Sequence, residues 1–404
     1  MSEAAHHENF NRLSSLVAMY GIGECGACIA LIMPGIVNAL TLSRALSVHQ
    51  AAVIASSESL GICTATFLVS FLIGTIDRRL IGVFAIVLAS GADILTGFAT
   101  TYPALVALRF IAGSGEGLCI AVMVASFAGI RLPERAIAFE VIMNTAIATV
   151  VLMAIRGLTA DGRSDVIFFF IGGVTIAASA FLFVLPPRPP LPIRPNGPLG
   201  LADGDRESNT LTGLFGLAAV FCLYASIGIV WPLVGQTGLQ AGLSNNYVVA
   251  ALANSAVFGV VAGVVICVVG ARFGRRLPIL IGLGGLGTIM ALLVFGQVDA
   301  IFAAATGGFI FFWMLSGVYL SALLAVIDRR GRVVTTALPL QFFGLTIGPL
   351  VASELGQARS LYCGILLTVA AALLVLLAIR NQLAALSRAA LIPMASTAPP
   401  DSSL

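Results

Sequence analysis

Apolar stretches of about twenty residues, separated by short polar punctuation, run the whole length of the chain. Twelve are read, at 15–43, 49–76, 80–100, 103–128, 136–157, 166–185, 211–236, 246–270, 277–297, 300–327, 334–356 and 361–379. Each is long enough to cross about 30 Å of hydrocarbon as a helix. None shows the short two-residue alternation of a barrel strand, so an all-α membrane protein is predicted. The first run follows "MSEAAHHENFNRLSS". It is too long for a signal-peptide core and has no small-x-small cleavage site, so it reads as a retained span.

Composition agrees with the pattern. Of 404 residues, 59% are hydrophobic and only 10% charged, where a soluble domain carries about a quarter charged. All 21 basic residues are Arg, which points to a GC-rich bacterial genome. With the N-terminus inside, 16 of them fall in cytoplasmic loops and tails, four outside and one, Arg109, within a span. That asymmetry predicts a bacterial cytoplasmic-membrane protein with both termini in the cytoplasm. The net charge of +3 reflects the same bias, with no basic patch for nucleic acid. The seven cysteines lie almost wholly within spans, so no disulfide framework is expected. Cys25 and Cys28, in "GECGAC", lack the exposed strand-to-helix turn of a redox motif and the further ligands of a metal site. They read as small packing residues.

One break divides the chain. Seven of its 17 prolines lie between Pro186 and Pro198, and proline at that density favours extended structure over helix. The predicted organisation is a cytoplasmic tail at 1–14, a six-helix bundle at 15–185, a Pro-rich cytoplasmic linker at 186–210, a second bundle at 211–379 and a cytoplasmic tail at 380–404. The halves repeat. "LIMPGIVNALTLSRALS" in the first span parallels "GIVWPLVGQTGLQAGLS" in the seventh, so that Pro34 matches Pro232 and Asn38 matches Gln236. In the second and eighth spans Glu58 matches Asn254 and Ser59 matches Ser255. Two similar bundles around a central cavity are the layout of a carrier.

These residues resemble the major facilitator superfamily over nearly the whole chain. "GTIDRRLIG" after the second span is similar to the family's Gly-x-x-x-Asp-Arg-x-Gly-Arg-Arg signature, with Asp77 and Arg78 as its acidic-basic pair, Gly74 one position too close and the second glycine missing. "GARFGRR" after the eighth span keeps Arg272, Gly274, Arg275 and Arg276 but has Ala271 for the acid. "LVALRFIAGSGEG" in the fourth span is similar to the family's embedded Arg-x-x-x-Gly-x-Gly motif at Arg109, Gly113 and Gly115. The resemblance implies the major facilitator fold, two pseudo-symmetric bundles rocking about a central site. It gives Asp77, Arg78, Arg272 and Arg275 the role of a cytoplasmic gate. A plain positive-inside anchor is the simpler reading of those arginines.

Titratable side chains within spans carry the remaining chemistry, since a charge at bilayer centre costs about 2.5–3.5 kcal/mol or more. They are Glu24, Glu58, Asp93, Arg109, Glu116 and Glu140, all in the first half. Gly113 and Gly117 form a Gly-x-x-x-Gly step for close helix approach. Glu116, seven residues after Arg109, is about 10 Å along the helix, so Arg109 needs another partner, with Glu24 and Glu58 as candidates, or an anionic substrate. Burial favours a neutral carboxyl and a nearby Arg a charged one, so motion between them would couple protonation to conformation. Glu24, Glu58, Arg109 and Glu116 are the candidate proton-coupling set, a structural buried pair being the alternative. Asn38, Glu140, Asn144, Trp231, Gln236, Asn254, Trp313, Tyr319 and Gln341 are the candidate cavity residues.

The expectation is a secondary active transporter, not an enzyme. It would act as a monomer in the lipid bilayer, with a small organic solute and protons as its partners. No metal or cofactor is called for, and no nucleotide-binding loop is present. Arg109 favours a carboxylate-bearing solute. Proton-coupled uptake is preferred because the fifth span, "VIMNTAIATVVLMAIRG", lacks the Gly-x-x-x-Gly-Pro motif of family antiporters, which instead falls at Gly344, Gly348 and Pro349 of the eleventh. Proton-driven drug or metabolite efflux is the alternative. A receptor or an embedded enzyme is a distant third: the buried acids argue against the first, and the only histidines, His6, His7 and His49, lie at a tail and an outer loop, which argues against the second.

Overall fold

The computed structural model describes residues 12–72, 76–127, 133–158, 163–186, 210–270, 272–294, 298–327 and 332–395. The Pro-rich linker and residues 1–11 and 396–404 lie outside them. Every regular element among the described residues is helical, and twelve helices are long and apolar enough to span a membrane. The first half comprises α1 (Leu13–Arg44), α2 (Val48–Ser70), α3 (Arg78–Phe98), α4 (Tyr102–Phe127), α5 (Pro133–Leu158) and α6 (Asp165–Phe183). The second comprises α7 (Leu211–Gln240), α8 (Asn245–Val269), α9 (Arg276–Leu293), α10 (Asp299–Ile327), α11 (Arg332–Leu355) and α12 (Gln357–Ala395). The last helix continues past the apolar span because "NQLAALSRAAL" is rich in helix formers.

Local chemistry sets the boundaries. The repeated Leu-Ser pairs are N-caps: Ser47 accepts from the Gln50 amide in a full capping box, and Ser244 accepts from the Tyr247 amide. Asp77 caps α3 by accepting from the Arg79 amide. Of the matched prolines, Pro232 coincides with a break in its helix, while Pro34 is carried within an unbroken part of its own. α1 is interrupted at Cys28, ahead of Pro34, and α7 tightens into a 3-10 turn at Trp231–Leu233, where Pro232 has no N–H to donate.

Small residues set the packing. α4 lies against α2 at Gly61, Gly113 and Gly117, against α3 at Gly115 and against α1 at Gly26. An added Cβ at Gly117 would stand 2.7 Å from the Ile62 carbonyl oxygen. This is the close approach that the Gly-x-x-x-Gly step predicts. In the second half Gly344 and Gly348 of α11 meet α7 backbone at Tyr224, Ala225 and Gly228. The halves join along α2–α11 and α5–α8, and large apolar side chains such as Phe67, Phe84, Val150 and Leu366 face outward, as a lipid-facing surface requires.

Candidate functional site

The two halves are closed against each other toward the Arg44 end of α1. The closure is polar. Asn38 on α1 donates to Asn245 on α8 at 2.8 Å, and Gln236 on α7 donates to Asn38 at 3.2 Å and to Thr41 at 2.7 Å. Trp231 donates its indole N–H to the Leu31 carbonyl at 3.2 Å. Further out, His49 on α2 contacts Ser353 and Glu354 on α11, each at 3.1 Å. Asn38 and Gln236, predicted as cavity residues, thus stand in a seal between the halves.

Beneath the seal, toward the Leu13 end, lies a cavity of about 280 Å³ bounded by α1, α4, α5, α7, α10 and α11. Glu140, Asn144, Trp313 and Gln341 line it as predicted, joined by Tyr224 and Ser321, which sequence reading passed over. Trp231, also predicted for the cavity, is not in its wall: it is buried, stacked on Phe309 at 5.3 Å, with Trp313, which is in the wall, edge-on at 6.2 Å. Two further predicted cavity residues are elsewhere. Asn254 is exposed in a separate groove between α8 and α10, because its position on α8 turns away from the facing half. Tyr319 is buried and donates to the Gly270 carbonyl at 2.8 Å, tying α10 to the end of α8.

The Arg109 cluster lies within the first half. Arg109 is fully buried and donates to Glu58 on α2 at 3.2 Å and to Asp93 and Thr96 on α3 at 2.7 and 2.9 Å. The Thr96 hydroxyl donates in turn to the Ala92 carbonyl, which fixes it as acceptor for Arg109. The Phe168 ring on α6 lies 4.8 Å from the guanidinium carbon. Glu116 is buried beside this group with neither oxygen hydrogen-bonded, and Glu58 and Asp93 each keep one unbonded oxygen. None of these side chains lines a described cavity. Three acids share one guanidinium, a surplus of negative charge unless protons are bound.

Glu24 stands apart from Arg109. It lines a crevice of about 1060 Å³ between α1, α5 and α6, while Glu140 and Asn144, on the cavity side of α5, act on it across the α1–α5 wall. At the Leu13 end, Arg78 is buried and donates to Ser126 at 2.8 Å and to the Ala125 carbonyl at 3.0 Å, fastening the start of α3 to the end of α4. Asp77 is exposed and spent on its cap. Arg272 is exposed and Arg275 half-buried at the α8–α9 turn.

The seal makes a measurable claim. A hydrogen bond contributes about 0.5–1.5 kcal/mol net, so Asn38→Ala with Gln236→Ala should release about 2 kcal/mol of closure, a shift of roughly thirtyfold in any open–closed equilibrium. Spin labels at Leu42 and Gln240 should report a new, longer distance. An unchanged distance distribution would remove the seal's role.

A family model described as Major Facilitator Superfamily matches residues 20–349. Among solved structures, an aspartate-to-alanine mutant of the nucleoside transporter NupG superposes with a TM-score of 0.68 at 13% identity, covering 91% of this chain and 99% of that one. Unmutated NupG gives 0.66 at 11% identity, covering 90% and 98%. A search of curated proteins finds no match. At such identity the likeness shows the fold, and the family model, spanning most of the sequence, shows more: this chain belongs to the Major Facilitator Superfamily, integral membrane transporters of small solutes.

Proposed function

We propose that this chain takes up a small, neutral or cationic polar solute by alternating access, coupled to protons, with the cavity below the Asn38–Gln236 seal as the binding site. The observation that carries the reading is the cavity wall. Glu140, Asn144, Gln341 and Tyr224 offer hydrogen-bonding groups and Trp313 a ring face, and among the described residues no basic side chain joins them. The volume, about 280 Å³, is at the small end of ligand sites, which run from roughly 300 to 1,000 Å³. A planar solute with donors and hydroxyls suits it, and a nucleoside, the cargo named for the structurally similar NupG, is one such solute.

A carboxylate-bearing solute loses its main argument, because Arg109 is already held by Glu58 and Asp93. With termini cytoplasmic, the cavity belongs to an inward-facing state, and the gate opposite the seal falls near the Asp77–Arg78 and Arg272–Arg275 turns. Glu140 is the acid best placed to take a proton from this cavity, with Glu24 behind the wall as its successor. The Glu58–Arg109–Glu116 set would exchange protons only when α2, α3 and α4 shift. Export by proton antiport is the second reading, favoured by the apolar crevice at Glu24.

Reconstituted liposomes under an imposed pH gradient test this, with nucleosides, amines, sugars and carboxylates as solutes. Accumulation of neutral or cationic solutes is expected. Glu140→Gln should cut gradient-driven accumulation about tenfold or more while exchange without a gradient persists, a conservative figure beside the roughly 10²–10⁴-fold that a positioned proton-transfer group contributes to a rate. Gln341→Ala should weaken exchange itself. Carboxylate transport, or full activity in both variants, would overturn the reading, and transport only out of loaded vesicles would favour export.

A further inference from the structure

The two halves pack differently around α1 and its counterpart α7. α7 lies along both α11 and α12, drawn in by Gly228, Gly344 and Gly348. α5, the counterpart of α11, has no Gly-x-x-x-Gly pair. α1, the counterpart of α7, leans the other way onto α4, where Gly23 meets Met123 and Gly26 meets the Glu116 backbone. The room that α11 and α12 occupy beside α7 is therefore vacant beside α1. It forms the crevice of about 1060 Å³ between α1, α5 and α6.

The wall of this crevice is aliphatic and aromatic, with Tyr20, Phe139, Phe170 and Phe181 supplying rings. Leu13, Val17, Phe139 and Val174 line it and are exposed, so it opens through the lipid-facing surface. Two of its polar groups are committed within the protein. The Tyr20 hydroxyl donates to the Ala136 carbonyl at 2.9 Å, and the Cys25 thiol donates to the Gly21 carbonyl at 3.4 Å. Glu24 is different: it is 3% exposed, and neither carboxyl oxygen has a hydrogen-bond partner. It sits about 16 Å along the helix from Leu13, deep in the hydrocarbon layer.

We infer that this crevice is a second binding site, reached from the bilayer, for a lipophilic organic cation: an amine or onium group bearing aromatic or aliphatic substituents. The walls take up the substituents, the rings turn their negative faces to the charge, and Glu24 is the buried countercharge. A buried carboxylate without a partner is costly, and a cation removes that cost. A phospholipid acyl chain would fill the space but leave Glu24 without a partner. A lipophilic anion would find no positive group in the described lining. The site does not depend on what the central cavity carries.

Binding of tetraphenylphosphonium to the purified full-length protein in nanodiscs of zwitterionic lipid tests the assignment. Saturable binding is expected, weakened about tenfold or more by Glu24→Gln and largely kept by Glu24→Asp, since the charge is what the probe reads. Val174→Trp, at the crevice mouth, should weaken it similarly, and Ser321→Trp, in the central cavity, should not. Neutral triphenylphosphine oxide should fail to displace the probe. Size-exclusion profiles and thermal unfolding report whether each variant is folded, and Val174→Trp carries the test should Glu24→Gln fail to fold. The inference is overturned by absence of saturable binding or by unchanged affinity in folded Glu24→Gln. Loss with Ser321→Trp alone would place the probe in the cargo cavity, and equal displacement by the neutral compound would indicate an apolar filler. No outcome depends on transport, so failure here leaves the uptake reading to its own assay.

Discussion

Arg109→Ala is expected to leave little folded protein. The guanidinium is the one positive charge facing Glu58 and Asp93, with Glu116 alongside, in a site with no exposure. Removing one side of a buried ion pair costs about 3–5 kcal/mol, because the other side is left without compensation. A whole protein is stable by only about 5–15 kcal/mol. Arg109→Lys should recover part of the loss: it keeps the charge but cannot reach α2 and α3 at once with a planar fork. The informative variant combines Arg109→Gln with Glu58→Gln and Asp93→Asn, which removes the charges together and should restore more stability than the lysine does. The monodisperse fraction on size exclusion and the midpoint of thermal unfolding in mild detergent measure all three. If Arg109→Ala stays monodisperse with a wild-type midpoint, the cluster does not hold α2, α3 and α4 together.

Gly113→Leu should be comparably damaging by a steric route. A Cβ at Gly113 overlaps the Glu58 carbonyl oxygen and stands 2.8 Å from its carbon, and both atoms are backbone that no rotamer change can clear. α2 must retreat, and Glu58 then leaves Arg109. Overpacking alone costs about 1–3 kcal/mol, and the lost ion pair adds to it. Gly173→Ala is the control. A Cβ there meets nothing within 4 Å, so exchanging glycine for a better helix former should be neutral or mildly stabilising. Equal unfolding midpoints for Gly113→Leu and Gly173→Ala would exclude close packing as the function of the glycine step.

Much of this arrangement could be read from the chain because it depends on local chemistry. Span lengths, the Ser47 and Ser244 caps and the Gly113–Gly117 step each follow from a few neighbouring residues. Arg109 was legible as a buried charge with Glu24 and Glu58 as candidate partners, of which the structure pairs it with Glu58 and leaves Glu24 apart. Asp93 was named among the span acids but not as a partner of Arg109, and Thr96 was not named, although the two lie three apart on one face of α3, the spacing that presents two groups to one guest. Choosing them required knowing that α3 packs on α4, which no short pattern reveals. Of the polar line in the second half, Gln341 and Trp313 border the cavity, while Asn254 and Tyr319 lie elsewhere for the same reason. Rotation about a helix axis decides whether Asn254 faces the cavity or the outside, and the weak polarity of α8 does not encode it. The crevice beside α1 was hidden by the repeat itself, since equivalence of the halves implied equivalent packing, while the absence of a glycine pair on α5 pointed the other way.

The meeting of Asn38 with Gln236 has a consequence for what such a position tolerates. These residues occupy the same place in the two repeats, and they touch, so the pair straddles the axis relating one half to the other. A side chain on such an axis faces its own counterpart, as in an isologous dimer contact. Carboxylates there would repel, guanidinium groups would both donate, and aliphatic chains would seal without orientation. A carboxamide is self-complementary, carrying donor and acceptor on one group. Changing one member to an acid should therefore be harmful, whereas exchanging the two amides, Asn for Gln and Gln for Asn, should be tolerated.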